Sequence, residues 1–127
     1  MLDSIEVITL FVDDISNAKA FYEAVFKPEV IYEDDVSSVL KFEGVIVNLL
    51  QVSQAPALVE PLSVGSAKFG VRVLLTIKVA DVDATCATLA ERGVTWLNGP
   101  INRPWGRRTA AFADPSGHVW EIAQELS

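Results

Sequence analysis

Two short stretches decide the fold: Phe11-Val12-Asp13-Asp14-Ile15 and Lys78-Val79-Ala80-Asp81-Val82. In each, an apolar run ends, an Asp stands at a helix N-cap, and an apolar helical face begins. They lie 67 residues apart. One pattern met twice at that distance predicts one supersecondary unit repeated within a short chain.

Working outward from the first stretch, Ile5 to Val12 is nearly continuously apolar and β-rich, as a central strand is. Ile15, Ala18, Tyr22 and Val25 recur at helical spacing, and Pro28 stops that helix. Glu29–Glu33, Ser38–Phe42 and Val45–Val52 then read as three strands, divided by Asp34-Asp35 and Glu43-Gly44. Around the second stretch, Val71–Val79 reads as a strand. A helix follows from Asp81 to about Arg92, with Gly93 as its stop. Val94–Leu97, Arg108–Ala113 and His118–Gln124 complete the set, with Asn98-Gly99-Pro100 and Pro104-Trp105-Gly106 bracketing a loop. The expected fold is α+β: two β-α-β-β-β modules, residues 1–52 and 71–127, in one domain spanning 1–127. Residues 53–70 form a Pro- and Gly-containing connector.

The chain has 127 residues, 50% of them hydrophobic and 21% charged, which fits one ordered domain. Its net charge is −7, unevenly spread. Residues 1–64 hold 3 basic and 11 acidic side chains; residues 65–127 hold 7 and 6. A global basic footprint is absent, so a nucleic-acid partner is not expected. No apolar run is long enough to span a bilayer, so no membrane association is expected either. Cys86 is the only cysteine, which suits a reducing cytoplasm.

The motifs carry a resemblance. Val12-Asp13-Asp14-Ile15 with Phe21-Tyr22, then Val79-Ala80-Asp81-Val82-Asp83-Ala84, then Pro104-Trp105-Gly106-Arg107-Arg108, and finally Phe112-Ala113-Asp114-Pro115-Ser116-Gly117-His118 with Trp120-Glu121-Ile122-Ala123-Gln124 stand in order along nearly the whole chain. In this the chain resembles the vicinal oxygen chelate group, the glyoxalase, bleomycin-resistance and extradiol dioxygenase superfamily. The resemblance implies a cup-shaped mixed sheet with helices on its outer face. It also implies, in enzyme members, a divalent metal held inside the cup by His, Gln or Glu. The corresponding positions here are Val7, Asn48, Leu74 and Glu121. Two of these lack a donor atom, so neither a family-type metal site nor any other cofactor is expected.

Period-two alternation places Val7, Thr9 and Phe11 on one face, with Ile46, Asn48 and Leu50, and with Arg72, Leu74 and Thr76. Val119, Glu121 and Ala123 share a face of the last strand. Apolar walls with a few polar points describe a small-molecule pocket; a cup filled by its own side chains is the bland alternative. Glu121 is either a ligand-orienting or catalytic carboxylate, or a buried partner of an Arg. Trp105 in its loop stacks on a planar ligand or anchors the loop. Arg103, Arg107 and Arg108 meet an anionic ligand group, or answer the acidic first half of this chain or of a partner. His118 after its turn is read as a surface residue.

Two functions follow. One is a metal-independent binding protein of the bleomycin-resistance type, sequestering a drug or metabolite, paired as a homodimer as the resemblance implies. The other is a glyoxalase-like lyase or dioxygenase-like enzyme with Glu121 as metal ligand or general base. A purely structural dimer is the third reading.

Overall fold

The computed structural model describes residues 2–127. The chain divides into two compact units, one running to Phe69 and the other Gly70–Ser127. The connector, residues 53–70, therefore lies in the first unit up to Phe69, and only Gly70 falls in the second.

The first unit runs β1 (Val7–Val12), α1 (Ile15–Phe26), β2 (Glu29–Glu33), β3 (Ser37–Phe42) and β4 (Val45–Gln51), then a short helix α2 (Pro56–Val59). Its sheet has the order β1-β4-β3-β2, with β1 parallel to β4 and the remaining pairs antiparallel. The second unit runs β5 (Leu74–Lys78), α3 (Val82–Glu91), β6 (Trp96–Arg103), β7 (Arg107–Ala113) and β8 (Val119–Glu125), and its order β5-β8-β7-β6 repeats the plan. The α+β fold of two β-α-β-β-β modules is thus as expected.

Each helix covers one face of its own sheet. Leu10, Val12, Val47, Leu49 and Leu40 are buried beneath α1 with Ile15, Ala18, Tyr22 and Val25. Trp120, Ile122, Ala110 and Phe112 form the corresponding layer with Val82, Cys86 and Leu89 of α3. Alternation leaves the other face of each sheet to Thr9, Asn48 and Leu50 in the first unit, and to Thr76, Glu121 and Ala123 in the second.

The helix starts are built alike. Asp14 accepts from Asn17 N–H at 3.1 Å, and Asp81 from Ala84 N–H at 3.0 Å. A second device reinforces each. Gln51 at the end of β4 accepts from Ile15 N–H at 2.8 Å and donates to the Asp13 carbonyl at 2.8 Å. Gln124 on β8 accepts from Val82 N–H at 2.9 Å. Each last strand thereby holds a helix N–H that has no partner within the helix. Gln124→Leu removes the acceptor and leaves that N–H unpaired, so it should lower unfolding stability by about 1–2 kcal/mol in urea titrations.

Two local readings change. The second module's first strand starts at Leu74, where its pairing with Val119 begins, so alternation cannot place Arg72 on the sheet. The turn residues Asn98-Gly99-Pro100 lie inside β6, which stays paired to β7 through two register shifts flanking Asn98. In the connector, besides α2, a tight helical turn occupies Ala67–Phe69, and another at Val52–Gln54 leads into it.

Candidate functional site

The sheet face opposite the helix carries the candidate site residues in each unit. In the first, Val7, Thr9 and Phe11 on β1 stand beside Ile46, Asn48 and Leu50 on β4. Thr9 pairs with Asn48, and Asn48 with Val39 of β3. The Asn48 Oδ1 atom is buried and has no hydrogen-bond partner.

In the second unit the same layout recurs with stronger chemistry. Thr76 pairs with Glu121, and its hydroxyl donates to Glu121 Oε1 at 3.0 Å. Ala111 of β7 stands on the other side of Glu121, and Asn98 of β6 beyond it. Ala111 is small, which leaves the carboxylate and the Asn98 amide flanking a low floor. Leu74 is 54% exposed and Val7 41%, so apolar surface borders the polar groups in both units.

The arginines separate by face. Arg108 lies on the helix side, where it makes two bonds to Asp83 of α3 at 2.9 and 3.0 Å and one to Asn102 at 3.0 Å. The Arg108 hydrogen bonds hold the Asp83 carboxyl below its ordinary range, and Asp83 raises Arg108 in turn. The expected ligand contact from Arg108 thus does not lie with Glu121, because residues of opposite parity on β7 face opposite ways. Arg107 and Arg103 lie on the face opposite α3. Arg107 pairs with Glu125 at 3.0 Å. Arg103 donates to Thr109 at 2.9 Å and to Asn98 at 3.1 Å, and its guanidinium sits 5.9 Å from the Trp105 ring centre. The ion-pair partners of Arg107 and Arg108 are residues of the second module, not of the acidic first half. Trp105, at the tip of the β6–β7 hairpin, is 67% exposed.

The Asn98–Arg103–Thr109 cluster is not visible in the sequence, because Asn98-Gly99-Pro100 has the composition of a loop while Asn98 stands in β6, paired to β7. Nor is the positioning role of Gln51 and Gln124 visible there, although both end an apolar strand three residues after Asn48 and Glu121. His118 is not a free surface residue. Its Nδ1 lies 2.8 Å from Oδ2 of buried Asp114, whose Oδ1 accepts from the Ser116 and His118 amides. Cys86 is buried, and desolvation pushes its thiol pKa up, the behaviour of an unreactive core thiol. Among the described residues, no three His, Cys, Asp or Glu side chains group to hold a metal ion, and no helix is long and apolar enough to cross a membrane.

Residues 4–122 match the model of the Glyoxalase/Bleomycin resistance protein/Dioxygenase superfamily. The chain belongs to this superfamily. A superfamily structure from Nocardioides, described as a glyoxalase/bleomycin resistance protein/dioxygenase, superposes with a TM-score of 0.86 at 20% identity, covering 100% of this chain and 86% of that one; at that identity it speaks to the fold. The antibiotic binding protein TnmS3 of Streptomyces sp. CB03234 superposes with a TM-score of 0.71 at 29% identity over 98% of both chains. Among curated proteins, YraH of Bacillus subtilis (strain 168) is 43% identical over 56 residues, 43% of this chain and 44% of that protein. The match thus spans less than half the length of this curated relative.

Proposed function

We propose that this superfamily member is a cytoplasmic binding protein that sequesters a small organic molecule without a resident metal. The observation that carries the reading is the donor set on the face opposite the helices. Val7 and Leu74 offer only hydrocarbon, Asn48 one amide oxygen and Glu121 one carboxylate. A catalytic zinc needs about three protein ligands and harder cations several oxygens, so the face of neither unit fits a resident divalent ion. Apolar surface with a few orienting polar groups is instead what a small-molecule site requires. Thr9, Phe11 and Leu50 in the first unit, and Thr76 and Trp105 in the second, complete the proposed contact residues. The likeness to an antibiotic binding protein supports the same reading. Exposed Leu58, Leu62, Phe69, Val71 and Val73 supply apolar surface that a second copy would cover, so the proposal includes a homodimer.

The test is thermal and chemical unfolding with bleomycin and other cationic aromatic antibiotics. A binder at a hundredfold excess over its Kd should add about 2.7 kcal/mol of stability, and sedimentation should report a dimer. A stoichiometric, tightly held divalent ion, with turnover that Glu121→Gln abolishes, would establish the enzyme reading instead. Thr76 supports that second reading to one extent: its hydroxyl fixes the orientation of Glu121, as a positioned base requires.

A further inference from the structure

The two units repeat one plan, so each serves as a template for the other. On the helix faces, Val30 pairs with Leu40 as Trp96 pairs with Phe112. Ser38 stands opposite Leu49 as Ala110 stands opposite Ile122. In the second unit this corner is filled: the Trp96 and Phe112 rings meet edge to face with centroids 5.4 Å apart. In the first unit the equivalent corner holds two aliphatic side chains and a hydroxyl. A groove of about 380 Å³ remains there between α1 and β2.

The helix wall differs in the same direction. Counting 67 residues on from α1, Lys19 and Glu23 stand where α3 has Cys86 and Ala90. Lys19 Nζ donates to the Asp34 carbonyl at 2.6 Å and lies 3.9 Å from Glu33 Oε2, so its charge is already engaged within the unit. Glu23 and Glu33 line the same groove, leaving its polar side with an excess of negative charge. The floor of Val30, Leu40 and Tyr22 is apolar, and Ser38 adds a hydroxyl to it. The volume is enough for a ring: an engineered apolar cavity of about 150 Å³ takes benzene, and small-molecule sites begin near 300 Å³.

We propose that this groove is a second binding site, separate from the face that carries Asn48, for a small aromatic molecule bearing an ammonium group. The ring takes over Val30 and Leu40 the place that the Trp96 indole takes over Phe112. The ammonium meets Glu23, while Glu33 remains the partner of Lys19. This site stands whether or not the sequestration reading holds, because it lies on the opposite side of the sheet.

The experiment is a titration of the whole protein with tryptamine, followed through its backbone amide resonances. Shifts should concentrate in the segments 19–23, 28–33 and 38–40. Val30→Trp, which copies the second unit's side chain into the groove, should weaken the response at least about tenfold. Ala20→Phe fills the groove from the exposed side of α1 and should act likewise; it keeps the test valid should Val30→Trp fold poorly. Indole-3-propionate, with a carboxylate for the ammonium, should bind at least about tenfold more weakly. Absence of any response in the unaltered protein, or a response that folded Val30→Trp or Ala20→Phe leaves unchanged, overturns the site. Equal binding of indole-3-propionate overturns the ammonium assignment.

Discussion

Replacing Gly99 by Ala is expected to cost about 3 kcal/mol or more of unfolding stability, read as a fall in the urea midpoint. Two effects add. Gly99 sits at φ +84°, in a region that costs a side-chain-bearing residue of order 1–3 kcal/mol. Its position also leaves no room for a Cβ, which would run into the Thr109 carbonyl oxygen and Ala110 Cα of β7. Both obstacles are backbone, so no rotamer change relieves them. The strand must lift, and lifting it disturbs the hydrogen bond by which Arg103 of β6 reaches Thr109 of β7. The same substitution at Gly44, also at positive φ but with open space around its Cβ position, carries the conformational cost alone and should hurt less. Equal effects at the two positions would show that β6 does not press on β7 there.

Phe112→Ala is expected to cost about 3–5 kcal/mol in the same measurement. Phe112 is 1% exposed, and its ring meets the Trp96 ring at an interplanar angle of 88°. Truncation removes the buried ring, and the neighbours that could collapse into the gap are held: Trp120 and Ile122 by the pairing of β8 with β7, Trp96 by the pairing of β6 with β7. Phe112→Leu, which keeps most of the volume, should cost well under half as much. A loss below about 1 kcal/mol for Phe112→Ala would mean that the corner repacks freely, against the close packing of ordinary cores.

The fold was legible because it rests on local signals that occur twice. Asp14 and Asp81 both precede an apolar helical face, and α1 spans Ile15–Phe26, the bounds that its spacing and Pro28 imply. Alternation sorted Val7, Thr9 and Asn48 onto the helix-free face of the first sheet, and Glu121 onto that of the second, because a strand's side-chain period is two whatever its partners are. What failed did so where pairing overrides local preference. Asn98-Gly99-Pro100 has the composition of a turn, yet β7 holds it in a strand with shifted register. Arg72 has strand neighbours, yet β8 offers it no partner in the ladder. Arg103, Arg107 and Arg108 look like one cluster in sequence, and hydrogen bonds reaching back to Asp83 or forward to Glu125 divide them. Such partners are distant along the chain, and no local pattern names them.

The Gln clamps have a consequence for how such a chain can change. On β4 and β8 the residues that fasten the helices, Gln51 and Gln124, share parity with the core and not with Asn48 and Glu121. Each strand thus carries two interleaved instructions, read at odd and even positions: one fastens the frame, the other sets what the open face presents. Drift in the second leaves the first intact. An Asn can stand in one copy where a Glu stands in the other, with the same helix still locked above both, so new binding chemistry can be tried without putting the scaffold at risk.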